Sequence, residues 1–198
     1  MKNRYLYTVI AIMIGYSVSG ITQPLFSLFK ASKGLPHLYG KKNNTSYLYT
    51  TAGDRLYAIG DQAGNFPAIG FHVPGEMGGV WQQPIKLLDG FRLKVTDTKT
   101  VVETPISTCD SFITFPFTTS FIVNPAGQQL SIIRTQFVPD AKPVLVVEYA
   151  FINNSTADKN LNIELAAYVN LRPVWLGERS DMIDSTDEVD SFDEKEIL

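Results

Sequence analysis

The chain has 198 residues, 44% of them hydrophobic and 12% aromatic, which is enough for one domain with a real core and excludes wholesale disorder. Its formal charge of -3 conceals a skew. Residues 178–198 carry nine acidic against two basic residues, leaving fifteen basic against eleven acidic elsewhere. That remaining excess is diffuse, with no block of Lys or Arg, so a phosphate-tracking nucleic-acid surface is not expected.

The first twenty residues, MKNRYLYTVIAIMIGYSVSG, set Lys2 and Arg4 before an apolar run over 5–14, followed by Ser17, Ser19 and Gly20. This is the layout of a secretory signal peptide cut near Gly20 or Ile21, and the run is shorter than the roughly 20 residues that span a bilayer. No cysteine stands there to accept a lipid. The only cysteine, Cys109, cannot form an internal disulfide, so an exported chain must be held by its core. A periplasmic or secreted protein without stable membrane insertion after cleavage is the expectation. Residues 21–46 read as a linker or edge segment. Asn43, Asn44, Asn153 and Asn154 each begin an Asn-x-Ser/Thr triplet and read as polar turn residues of a bacterial protein.

From residue 47 the apolar pattern has period two, which predicts strands. Short candidates cover 47–51, 55–59, 91–96 and 101–104. Residues 118–124 and 130–138 flank Pro125-Ala126-Gly127, where proline presets one turn residue and glycine supplies a positive φ, predicting a hairpin. Residues 144–152 are almost all apolar or β-branched, as in a central strand covered on both sides. Residues 161–170 alternate, with Leu161, Ile163, Leu165, Ala167 and Val169 on one face and Asn162, Glu164, Tyr168 and Asn170 on the other. These last two strands are expected to pair across the polar loop 153–160. The predicted core is Leu161, Ile163, Leu165, Val169, Leu145, Val147, Tyr149, Phe151, Ile133 and Phe137. The sum is an all-β fold, an antiparallel β-sandwich over 47–177. The alternation is lost over the acidic segment 178–198, which reads either as a flexible end or as part of a longer chain.

The stretch GDQAGNFPAIGFHVPGEMGGVWQQPIKLLDGFRL, residues 60–93, holds seven of the 14 glycines and three of the 11 prolines. It contains neither GxGxxG nor GxxxxGK[ST], so phosphate cradling is set aside. Two histidines, His37 and His72, and one distant cysteine do not make a zinc set, and no GxSxG elbow marks a serine nucleophile. No metal or cofactor is expected. Carboxylates near an aromatic platform are the chemistry of sugar recognition and glycoside hydrolysis, and here Asp61, Glu76 and Asp89 accompany His72 and Trp81. The plainer reading makes Asp61 and Asp89 turn residues, Glu76 a loop hydrogen-bonding group and Trp81 core.

After the cleanest strand comes LRPVWLGER, in which Arg172 and Arg179 bring donors, Glu178 an acceptor and Trp175 a stacking face. A sugar-binding rim, an interdomain contact, or a strand end with a surface ion pair would each use that set.

Together, GDQAGNFPAIGFHVPGEMGGVWQQPIKLLDGFRL and AAYVNLRPVWLGERSDMIDSTDEV resemble the N-terminal β-sandwich region of bacterial glycogen-debranching-like proteins, over roughly residues 51–189. The pairing of GEMGGVW with PIKLLDG carries the resemblance. It implies a supersandwich-like fold lending loops to a six-hairpin (α/α)6 catalytic barrel that supplies the acid and base, with no catalytic residue in this chain. It also implies a glycoside hydrolase acting on an α-glucan-like substrate. His72, Glu76, Trp81, Asp89, Arg172, Trp175, Glu178 and Arg179 then face the sugar or the barrel. A stand-alone carbohydrate-binding module and a cell-envelope interaction protein are the rival readings.

Overall fold

The computed structural model describes residues 5–12, 34–40, 45–69, 77–99, 102–106 and 109–173, and these hold twelve strands and no helix. The all-β sandwich expected from the alternation is what the chain forms. Two antiparallel sheets face each other. The first has the order β1 (Tyr5–Ile12), β11 (Leu145–Asn153), β10 (Leu130–Phe137), β9 (Thr118–Val123), β8 (Ser111–Thr114) and β2 (Leu38–Tyr39). The second has the order β12 (Leu161–Pro173), β6 (Ile85–Asp97), β5 (Gly79–Gln82), β4 (Tyr57–Asp61) and β3 (Leu48–Ala52), and β7 (Val102–Ile106) also pairs with β6.

One apolar core fills the space between the sheets. Leu56, Ala58, Val80, Leu88, Phe91, Leu93 and Val95 meet Leu130, Ile132, Leu145, Val147, Tyr149 and Phe151 there. Beside it Tyr49, Phe112 and Phe121 pack edge to face or tilted, with ring centroids 5.1 to 5.8 Å apart, around Cys109. Buried polar groups between the sheets find one another: Gln136 Nε2 donates to Thr51 Oγ1 at 3.0 Å and to Tyr49 Oη at 3.3 Å, and Thr51 Oγ1 donates to Thr119 Oγ1 at 3.0 Å.

The β9–β10 hairpin forms where Pro125-Ala126-Gly127 predicts it, with Gly127 at φ +73°. β11 buries seven consecutive residues, as a strand covered on both sides should. Three expectations need correction. β11 and β12 do not pair: β11 lies between β1 and β10, while β12 pairs with β6 in the other sheet. The connection after β11 crosses the sandwich instead. Asn154 N donates to Gln129 O at 2.8 Å beside the β9–β10 turn, and Thr98 N donates to Asn160 O at 2.9 Å beside the β6–β7 turn.

The phase of β10 is the second correction. Leu130, Ile132, Arg134 and Gln136 are buried toward the opposite sheet, while Ile133 and Phe137 lie half-buried on the other face. Both faces of this strand carry apolar residues, so hydropathy does not choose between them; pairing with β11 does, setting Ile132 beside Phe151 and Arg134 beside Tyr149. Third, Val169 is 48% exposed and leaves the core, because the ladder between β12 and β6 shifts register between Tyr168 and Val169. Leu161, Ile163 and Leu165 do pack against the core.

The apolar run read as a leader overlaps β1, which pairs with β11 from Tyr5 opposite Ile152 to Ile12 opposite Leu145. Leu38–Tyr39, within the segment read as linker, forms the opposite edge strand. Within residues 60–93, β5 and β6 form a hairpin joined through a cis Gln83–Pro84 bond, and Ile69 and Met77 exchange backbone hydrogen bonds at 3.3 and 2.6 Å.

Candidate functional site

The site is built where β6 and β12 run side by side and the loop after β4 folds over them. Gly90 sits at φ +151°, and a Cβ there would stand 2.6 Å from the Phe66 ring, so glycine is what lets Phe66 lie on the strand and contact Phe91, with centroids 4.8 Å apart. Asp61 fixes the loop that carries Phe66 by accepting from Asn65 N at 2.9 Å and from Asn65 Nδ2 at 3.5 Å. Opposite Gly90 in register is Tyr168, the last residue before the register shift in β12.

That irregularity brings Asn170 to Asp89. Asn170 Nδ2 donates to both Asp89 carboxylate oxygens at 2.9 Å, and Lys86 Nζ forms an ion pair with Oδ1. Lys86 is 1% exposed, its ammonium 5.4 Å from the Trp81 ring centroid. Asp89 is therefore an oriented carboxylate, half in solvent, with its charge balanced from below. Arg92, two residues beyond Gly90, stacks its guanidinium over the Tyr168 ring at 5.4 Å. Asn65, Phe66, Asp89, Phe91, Arg92 and Tyr168 line an open cleft of about 420 Å³.

Of the residues singled out in the sequence, Asp89 lies in this cleft. Trp81 does not: it is 1% exposed and its Nε1 donates to Gly78 O at 2.8 Å, so the ring is core and presents no stacking face. It sits on β5, a strand with neighbours on both sides, which is the physical reason. Arg172 is paired with Lys86 through the backbone ladder at the end of β12. His72, Glu76, Trp175, Glu178 and Arg179 lie outside the described residues. Sequence reasoning overlooked Tyr168, Arg92, Asn65 and Asn170. The available signal was an aromatic ring, Tyr168, on a strand face otherwise occupied by Asn162, Glu164 and Asn170. Among the described residues no group of three or more His, Cys, Asp or Glu is gathered as metal ligands.

The arrangement gathers an aromatic ring with a guanidinium over it, a fixed carboxylate and an amide around one opening. Among the described residues its lining holds one carboxylate, Asp89. No family model, curated protein or solved structure matches the chain.

Proposed function

We propose that the chain is the accessory N-terminal sandwich of a secreted carbohydrate-active enzyme, a glycoside hydrolase of α-glucan-like substrates whose catalytic (α/α)6 barrel is not contained in these residues. The cleft at Tyr168 holds the glycan. The observation that carries this reading is the Tyr168–Arg92 stack beside an Asp89 carboxylate oriented by Asn170 and Lys86. A pyranose ring stacks its C–H face on an aromatic ring and engages its hydroxyls with planar polar groups, and both are present at one opening. Glycoside hydrolysis takes two carboxylates at set separation, and among the described residues the cleft lining supplies Asp89, whose proposed role is binding. Calorimetric titration of α-1,4-glucan oligosaccharides into the 198-residue chain is expected to show saturable binding, weakened about tenfold by Tyr168→Ala or Asp89→Asn. Absence of binding by the unmodified chain sinks the reading.

A second reading, an interaction protein of the cell envelope, is favoured by one observation. Leu38 and Tyr39 on β2 are 73% and 71% exposed, and Tyr47 just before β3 is 62% exposed. Gln62 links the two edges, its amide donating to Tyr47 O at 3.1 Å and its side chain lying against Gly40. Exposed apolar groups gathered at one edge are what a partner surface uses. Silence in the glycan titration, combined with partner capture abolished by Leu38→Ser with Tyr39→Ser, identifies this reading as the right one.

A further inference from the structure

Arg134 on β10 points between the sheets and is 5% exposed. Its guanidinium lies 3.9 Å from the Phe121 ring centroid, 5.4 Å from Phe91 and 5.8 Å from Phe66. Stacking of this kind engages the flat face and leaves the N–H groups at the rim to find partners. Nη1 donates to Gly64 O at 2.9 Å. Nε and Nη2 make no hydrogen bond, although together they form the parallel fork that grips an anion side-on.

Among the described residues Arg134 forms no ion pair; the buried Asp61 carboxylate of the adjoining turn, which accepts from Asn65, acts with it on Tyr49 and Cys109 from longer range. The Cys109 thiol donates to Gln62 O at 2.9 Å, and burial pushes its pKa up to about 11; burial likewise pushes Tyr49 up to about 12. Both stay neutral in ordinary buffers. Burial raises the pKa of the Tyr149 hydroxyl, cross-strand neighbour of Arg134, while the guanidinium's charge and hydrogen bonding pull it back down. A buried cation whose Nε and Nη2 lack a partner of good geometry is costly, and a small anion at that fork relieves the cost.

Arg134 also lines a crevice of about 10 Å³ with Gly64, Cys109, Phe121, Val123 and Ile132. Nη2 stands 3.5 Å from where a Cβ on Gly64 would be, so the bare glycine keeps the space in front of the donor open. We infer that this crevice binds one monoatomic anion of chloride size, held by the Nε–H and Nη2–H groups of Arg134. The crevice is small, close to the least space that holds one water-sized sphere, which favours a single small anion. Its largely apolar wall favours a weakly hydrated halide over fluoride, which holds its water more tightly.

Thermal unfolding of the 198-residue chain at fixed ionic strength, with sodium gluconate exchanged for chloride, bromide or fluoride, reads the inference in solution. Chloride and bromide are expected to raise the midpoint saturably by about 2 to 5 °C, and fluoride not at all. Arg134→Gln is expected to remove the halide dependence. Because that variant can fail to fold, crystals of the unmodified chain grown in sodium bromide provide the second measurement, with an anomalous peak expected at the Nε–Nη2 fork. Equal midpoints in all four salts overturn the inference, even with a bromide peak, since that would be binding at crystal concentration only. A water at the fork and no anomalous signal overturns it as well.

Discussion

Strand β11 buries seven residues in a row, Leu145 to Phe151, whereas β12 alternates half-buried and exposed positions from Leu161 to Leu171, with one break in step at Ala166 and Ala167, both exposed. The same contrast holds for the two sheets. In the β11 sheet much of the face turned away from the core is buried as well: Thr118, Ser120, Thr135, Glu148 and Val146 are each under 8% exposed, with Ser120 and Thr135 hydroxyls bonded at 3.0 Å. In the half of the other sheet formed by β6 and β12, Arg92, Lys94, Glu164 and Tyr168 stand toward solvent. A strand buried on both faces has no side chain free to meet a ligand. A strand buried on one face keeps alternate residues available, and a bulge can aim them, as the shift after Tyr168 aims Asn170 at Asp89. On the proposed reading recognition falls to the β6–β12 pair, with β9, β10 and β11 as scaffold.

The largest expected effect tests whether Trp81 belongs to the scaffold. Trp81→Ala removes a fully buried ring and its bond to Gly78 O, and urea unfolding is expected to show a loss of about 3 to 5 kcal/mol. A loss below 1 kcal/mol would return Trp81 to the surface set.

Alkali attacks the buried layer between the sheets. Tyr49 and Cys109 have folded pKa values raised above their ordinary 10.0 and 9.0, so the neutral forms are the ones the fold favours. Their contribution is fully present below pH 9 and is lost as pH climbs through about 11 for Cys109 and about 12 for Tyr49. Stability measured against pH is expected to fall by about 3 kcal/mol between pH 9 and 12. Tyr49→Phe with Cys109→Ala should flatten that slope.

The β11 sheet has a second vulnerable point, its edge. A chain beginning at Ile21 lacks β1, and amide exchange over β11 is expected to rise about tenfold or more while β6 and β12 keep their protection. Uniform protection across both sheets would show that β11 does not depend on that strand.

At the other extreme, Tyr168→Ala should cost less than about 1 kcal/mol of stability, because the ring lies on the solvated side of β12. A larger cost would place Tyr168 in the packing and weaken the division between scaffold and site.

The fold class was legible because period two persists through most of the chain, and the β9–β10 hairpin because Pro125-Ala126-Gly127 names its own turn. Pairing was less legible. Residues 144–152 and 161–170 are adjacent in sequence, which favours a hairpin, yet one is a two-sided strand and the other one-sided, and the chain carries them to different sheets. The β10 phase was hidden because Ile132 and Ile133 are equally apolar, while Arg134 and Gln136, which do face the core, look like surface residues until their partners Gly64, Thr51 and Tyr49 are in place. β6 was seen only over its second half, since Asp89 and Gly90 interrupt its pattern for the sake of the cleft. Tyr168 was visible as an aromatic among polar neighbours, but nothing local joins it to Arg92, 76 residues earlier in the chain.

The division between scaffold and site is tested most directly by following backbone amide chemical shifts of the labelled 198-residue chain during titration with an α-1,4-glucan oligosaccharide. Saturable shifts are expected at Asn65, Asp89, Arg92 and Tyr168, with the amides of β10 and β11 unmoved. Shifts centred on Leu38, Tyr39 and Tyr47, or no shifts at saturating glycan, would contradict the account.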